Sequence, residues 1–125
     1  MTVWTIVVVA SAGGAGAVCR FLLSDLITRH TKDSFPWATF VINVSGSFLV
    51  GFAAGLAAAN LIPPEWRVVV GTGFLGGYTT FSTFSTDAVQ LLRSRRSSAA
   101  LIYSLGMLVA SLGAAAAGLL AAANF

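Results

Sequence analysis

Gly71-Thr-Gly-Phe-Leu-Gly-Gly-Tyr-Thr-Thr-Phe-Ser-Thr-Phe-Ser-Thr86 is the stretch that decides how this chain is read. Its first seven residues hold four glycines, and each glycine costs a helix about 1 kcal/mol relative to alanine. The stretch nevertheless lies inside a largely apolar run over about 65–92, long enough to cross a bilayer. The combination predicts a membrane span whose helix is broken mid-membrane. A break at that depth frees carbonyl oxygens, which is tolerated only when they are buried in protein or line a cavity. Such carbonyls either coordinate a hard cation such as Na⁺ or mark a kink that holds no ion.

The rest of the chain supports lipid as the solvent. Of the 125 residues, 57% are hydrophobic and 9% charged, against about 25% charged in an ordinary soluble domain. Mean hydropathy is +0.88. Four spans are expected, at about 3–28, 37–60, 65–92 and 98–123, in one domain over 1–125 with no linker, second domain or convincing repeat. The second span, 24 residues by these bounds, makes about 36 Å of helix, enough for a hydrocarbon core of about 30 Å with some tilt. Polar residues from Arg29 to Ser34 form the first connection. Pro64, followed by Glu65, opens the third span at the helix end that accepts both. Trp4, Trp37 and Trp66 fall at span starts, where interfacial aromatics belong. Val3–Ala17 is apolar but no Lys or Arg precedes it, so the expectation is a retained first span rather than a signal peptide.

Several functions are disfavoured. The net charge of +3 comes from small clusters between apolar spans, a poor footprint for nucleic acid. Cys19 and His30 have no partner cluster for a metal. Gly71-x-Gly-x-x-Gly76 imitates a dinucleotide motif without the strand, helix and acidic residue it needs. No catalytic set is apparent, so no enzyme is expected.

Two sets of residues can carry chemistry. Asn43 lies two turns inside span two, above Ser47, Gly51 and Gly55 on one ladder and one turn after Thr39. It serves either as interhelical glue or as a pore-lining donor, because a carboxamide in hydrocarbon needs a partner or water. Phe81 and Phe84 are i,i+3 neighbours beside hydroxyls at Thr79, Ser82, Thr83 and Thr86. The rings either pack against lipid and helices while the hydroxyls bond their own backbone, or turn their positive edges to a small anion. With no lysine mid-span, an anion would meet donors weak enough to release it. Arg20 is either a structural anchor or part of an anion-attracting vestibule, and Asp25 can pair with Arg29 at i,i+4. Tyr103, Met107 and Ser111 share one ladder of span four, where Tyr103 can hydrogen-bond near a pore mouth. Small residues in span two (Ser47, Gly51, Gly55, Ala59) and span four (Gly106, Ala110, Gly113, Ala114, Ala117, Gly118) are suited to close helix packing.

The chain resembles the CrcB/Fluc fluoride channels over nearly its whole length. The resemblance is carried by Gly13-Gly-x-Gly-Ala-x-x-Arg20, Asn43-x-x-Gly46-Ser47-Phe48 with Gly51, and above all Gly73-Phe-Leu-Gly-Gly-Tyr-Thr-Thr-Phe-Ser-Thr-Phe84. It implies an all-α, four-span subunit of an antiparallel dual-topology dimer with two fluoride pores. Asn43 would donate near each pore, and Phe81 and Phe84 would line it by their ring edges. Main-chain carbonyls of Gly76 and Thr79 from each chain would hold a structural Na⁺ at the dimer interface. The implied role is passive export of fluoride across the plasma or inner membrane, protecting cytoplasmic enzymes. Tyr78 replaces an aliphatic residue, and Met107 falls where a polar residue is common.

Charge qualifies this picture. Connections one and three hold Arg29, Lys32, Arg93, Arg95 and Arg96, and the opposite side holds only Arg67. Cationic excess marks the cytoplasmic side, so this chain should favour both termini outside. It then either forms a homodimer or pairs with a related subunit of opposite bias. Two rivals are a small four-span drug or cation exchanger, which needs an embedded carboxylate that span one lacks, and a non-conducting assembly subunit.

Overall fold

The computed structural model describes residues 2–32 and 35–125; Ser34, the expected end of the first connection, lies outside them. Among the described residues, three helices are long and apolar enough to cross a membrane: α1 (Val3–His30), α2 (Trp37–Ala58) and α6 (Ser97–Ala122). The third hydrophobic run is divided. It comprises α3 (Pro64–Arg67), a π-helical segment (Val68–Leu75), one further turn α4 (Gly76–Tyr78) and, after two extended residues, α5 (Phe81–Arg93).

Local chemistry sets the ends of these elements. The Thr2 hydroxyl accepts from the Thr5 amide at the start of α1, and Pro64 opens α3 with Glu65 in its first turn. After α2, Asn60 takes φ 60° while the Leu61 amide reaches back to the Leu56 carbonyl, a left-handed cap that asparagine tolerates. Arg95 takes the same conformation after α5, at φ 58°, with the Arg96 amide bonded to the Leu91 carbonyl.

The glycines of the third run do not themselves break the helix, contrary to the expectation from their helix cost. Residues 71–77 remain helical, and no glycine among the described residues has a positive φ. The interruption comes at Thr79 (φ −81°, ψ 160°) and Thr80 (φ −148°, ψ 123°). Two of the four serve approach instead: a Cβ on Gly77 would collide with the Gly13 carbonyl and one on Gly73 would press on the Val9 carbonyl, so α1 crosses the third run backbone to backbone, whereas Gly71 has open space around it. The second crossing is α2 on α6, where Gly51 meets the Ala115 carbonyl and Gly118 meets the Phe48 carbonyl. These are the small-residue surfaces of spans two and four, packing as such surfaces do in lipid. Arg29 and Asp25 pair at 3.0 Å, as their spacing predicts.

Candidate functional site

The break is held by one side chain. Asn43 Nδ2 donates to the Thr80 carbonyl at 2.8 Å, and the Thr80 amide donates to Asn43 Oδ1 at 2.9 Å. The carboxamide thus substitutes for the helical bonds the backbone loses where it leaves regular geometry. Thr80 then caps α5, its Oγ1 accepting from the Thr83 amide at 3.1 Å. Beside it, Tyr78 Oη lies 3.0 Å from Ser45 Oγ, and Ser45 Oγ donates to the Ile42 carbonyl. A tyrosine is accommodated here because its hydroxyl finds α2.

A cavity of about 470 Å³ opens beside the break. Asn43 and Ser47 of α2, Thr79, Thr80, Phe81 and Phe84 of the third run, and Ser104, Met107 and Ser111 of α6 border it. No charged side chain is among these lining residues. Phe81 is 78% exposed on the single chain; its ring centroid lies 5.9 Å from that of Phe84, at 50°. Phe84 packs on Tyr103 at 5.3 Å.

Counting protons shows which wall groups can act as donors. Ser47 Oγ donates to the Asn43 carbonyl and Thr79 Oγ1 to the Leu75 carbonyl, so both are committed to their own helices. Thr80 Oγ1 donates to Thr83 Oγ1 and lies 3.3 Å from Ser82 Oγ. Asn43 retains a second N–H, since a carboxamide has two. Ser104 and Ser111 have no hydroxyl partner among the described residues. The N-terminus of α5 also faces the break, with the partial positive charge of a helix start. The arrangement is a neutral, donor-bearing recess with two adjacent phenyl rings.

A family model described as "CrcB-like protein, Camphor Resistance (CrcB)" matches residues 7–119. The chain belongs to the CrcB family. A protein named fluoride-specific ion channel FluC 1 from Leifsonia xyli subsp. xyli is 49% identical over 119 residues, covering 95% of this CrcB chain and 87% of its own. FluC 3 of Bifidobacterium longum, also named a fluoride-specific ion channel, is 43% identical over 123 residues, covering 96% and 99%. The FluC of Nitrobacter winogradskyi is 42% identical over 118 residues, covering 93% and 94%. Family membership and three long apolar helices make this a multi-pass plasma-membrane protein.

The expected site residues of this CrcB protein fall into separate groups. Asn43, Phe81, Phe84 and Ser111 border the cavity beside the break. Thr39, Thr83 and Arg20 border a different one of about 290 Å³, together with Thr80. Ser82 borders neither of these two; its hydroxyl stays beside Thr80. Tyr103 is fully buried, and its hydroxyl points to Asp87. Gly76 is exposed on the chain, whereas Thr79 is half-buried. Three positions outside the sequence-based set also belong to this geometry: Thr80, which meets Asn43; Ser104, seven residues before Ser111 on the same face of α6; and Asp87, which accepts from Thr39 and Tyr103.

Proposed function

We propose that this chain is a fluoride channel subunit, not an enzyme, that lets cytoplasmic fluoride leave the cell passively and so lowers its toxicity. The observation that carries the reading is the neutral recess at the break. Asn43, Ser104, Ser111 and the start of α5 offer hydrogen-bond donors there, Phe81 and Phe84 stand side by side, and no cation lines it. A small anion that accepts hydrogen bonds strongly would be passed along such donors and along the positive ring edges. Without a lysine or arginine in the wall, it is not trapped. The names of the relatives agree with this chemistry. Purified protein in liposomes should release trapped fluoride, followed with a fluoride electrode, faster than protein-free liposomes. Equal release would exclude the function.

The divided run 64–93 acts as the fourth span in this reading, completing an all-α, four-span subunit with its break inside the bilayer. Two such subunits in opposite orientations form the channel, with a Na⁺ between them. Gly76 fits that ion. Its carbonyl lacks the i+4 amide that a continuing helix would supply, because the Thr80 amide bonds to Asn43. It also lies on the exposed side of the chain. Main-chain oxygens of Gly76 and Thr79 from each subunit are hard donors suited to a hard cation. The bound ion would neutralise carbonyls gathered at the interface. Replacing Na⁺ with N-methylglucamine should lower the melting temperature; an unchanged value would remove the ion from the account.

A further inference from the structure

Three consecutive residues at the break are each met by one short segment of α2. Asn43 exchanges two hydrogen bonds with Thr80. Ser45 Oγ lies 3.0 Å from Tyr78 Oη. Gly46 lies against Thr79, where a Cβ would collide with the Thr79 methyl group and crowd the Tyr78 ring. Thr79 is therefore held from both sides, by the Tyr78 side chain before it and the Thr80 backbone after it.

The direction of the Tyr78 bond follows from a proton count. Ser45 Oγ donates to the Ile42 carbonyl at 3.1 Å, and a hydroxyl has one proton. Tyr78 Oη is thus the donor to Ser45 Oγ. The Tyr78 ring is buried and stacks on Phe74, with centroids 6.2 Å apart. Neither Tyr78 nor Ser45 borders the cavity beside the break, so this hydroxyl pair is not part of its wall.

The consequence falls on two carbonyls. In a trans peptide the N–H and C=O point to opposite sides. The Thr80 amide points to Asn43 Oδ1, so the Thr79 carbonyl of the same peptide is turned away from Asn43. The Thr83 amide, which would meet that carbonyl in a continuous helix, bonds to Thr80 Oγ1 instead. The Gly76 carbonyl has lost the Thr80 amide to Asn43 in the same way, and Gly76 is exposed on the chain. Tyr78 stands between these two peptides.

We propose that Tyr78 is a positioning residue for the cation held by the Gly76 and Thr79 carbonyls. Its hydrogen bond to Ser45 fastens the turn 76–79 to α2 and keeps both oxygens directed outward before the ion arrives. Ordering the ligands in advance removes part of the cost of binding. Tyr78 does not touch the ion and acts through the backbone. The inference rests on the Na⁺ reading above and adds to it the side chains that hold its ligands in place.

The test uses wild type, Tyr78→Phe, Ser45→Ala and the double variant, each purified without Na⁺. Melting temperatures are followed as Na⁺ replaces N-methylglucamine at constant ionic strength. Tyr78→Phe keeps the ring and removes only the hydroxyl. The Na⁺ concentration giving half the rise should increase about threefold or more in each single variant, within the range expected for one lost hydrogen bond. The double variant should add little, because both changes remove the same bond. Tyr103→Phe deletes a buried hydroxyl that meets Asp87 instead, and should lower the melting temperature without moving that midpoint. A purely structural Tyr78 would behave like Tyr103, and an unmoved midpoint in Tyr78→Phe overturns the proposal. So does a shift of equal size in Tyr103→Phe, or additive shifts in the double variant. If wild type does not respond to Na⁺, the ion reading falls and this assignment with it. If wild type responds and Tyr78→Phe keeps its midpoint, only the assignment of Tyr78 falls.

Discussion

Asn43 and Thr80 exchange two hydrogen bonds, side chain to carbonyl at 2.8 Å and amide to side chain at 2.9 Å. The pair ties α2 to the point where the third run leaves helical geometry, and it fixes the start of α5 beside the cavity that Phe81 and Phe84 border. Breaking it should therefore affect fold and transport together.

Asn43→Ala leaves the Thr80 amide and carbonyl without their partner. Each unsatisfied buried group costs about 1–3 kcal/mol, so a lower melting temperature and a large loss of fluoride efflux are expected. Asn43→Asp can still accept from the amide but cannot donate to the carbonyl when ionised, and it adds a negative charge to the recess. Its efflux should also collapse. A variant of either kind with wild-type efflux would show that the pair does not shape the route.

Glycine positions should separate by what surrounds them. Gly77→Ala puts a methyl group into the Gly13 carbonyl, and neither backbone can yield without parting α1 from the third run. A loss of several kcal/mol is expected, about that of a severely overpacked core site, seen as poor yield or aggregation on size-exclusion chromatography in detergent. Gly106→Ala meets only the edge of Phe40 at ordinary distance, 3.9 Å, and should purify and elute like wild type. Similar behaviour of the two would contradict the crossing described here.

The turn between α5 and α6 places Arg95 at φ 58°, a conformation that costs an L-residue about 1–2 kcal/mol. Arg95→Gly should relieve part of that cost and raise thermal stability slightly, after allowing for glycine's greater freedom when unfolded. A lower melting temperature would mean that the arginine side chain contributes more than its backbone strain costs.

Three long apolar helices were legible in composition, and the Asp25–Arg29 pair in its spacing, because both are local. An interruption of the third run was expected at its glycines, and the structure leaves helical geometry further along. Glycine's helix cost pointed to 71–77, whereas Gly73 and Gly77 serve backbone approach to α1 and the chain turns extended at Thr79 and Thr80. The Asn43–Thr80 exchange spans 37 residues and the Thr39–Asp87 bond 48. Neither spacing is encoded by a helical period, so Asp87 is visible in the sequence as an acid in an apolar run but without its partners. Tyr103 likewise lies on the expected ladder, yet only the tertiary structure shows its hydroxyl facing Asp87 rather than the cavity beside the break.

Orientation tests the assembly. Five cationic residues flank connections one and three against Arg67 on the other side, so the chain expressed alone should insert mainly with both termini outside. A C-terminal reporter read for sidedness checks this. A strong bias favours pairing with an oppositely oriented relative, and equal populations favour a homodimer of both orientations.

The central claim is that fluoride crosses beside Phe81 and Phe84. The direct measurement is fluoride efflux from liposomes at equal protein content for wild type, Phe81→Ile and Phe84→Ile, with size-exclusion profiles confirming intact protein. We predict rapid wild-type efflux and a loss of about tenfold or more in at least one variant, the size expected when a step loses about 1.4 kcal/mol of stabilisation. Wild-type rates in both variants would contradict the account.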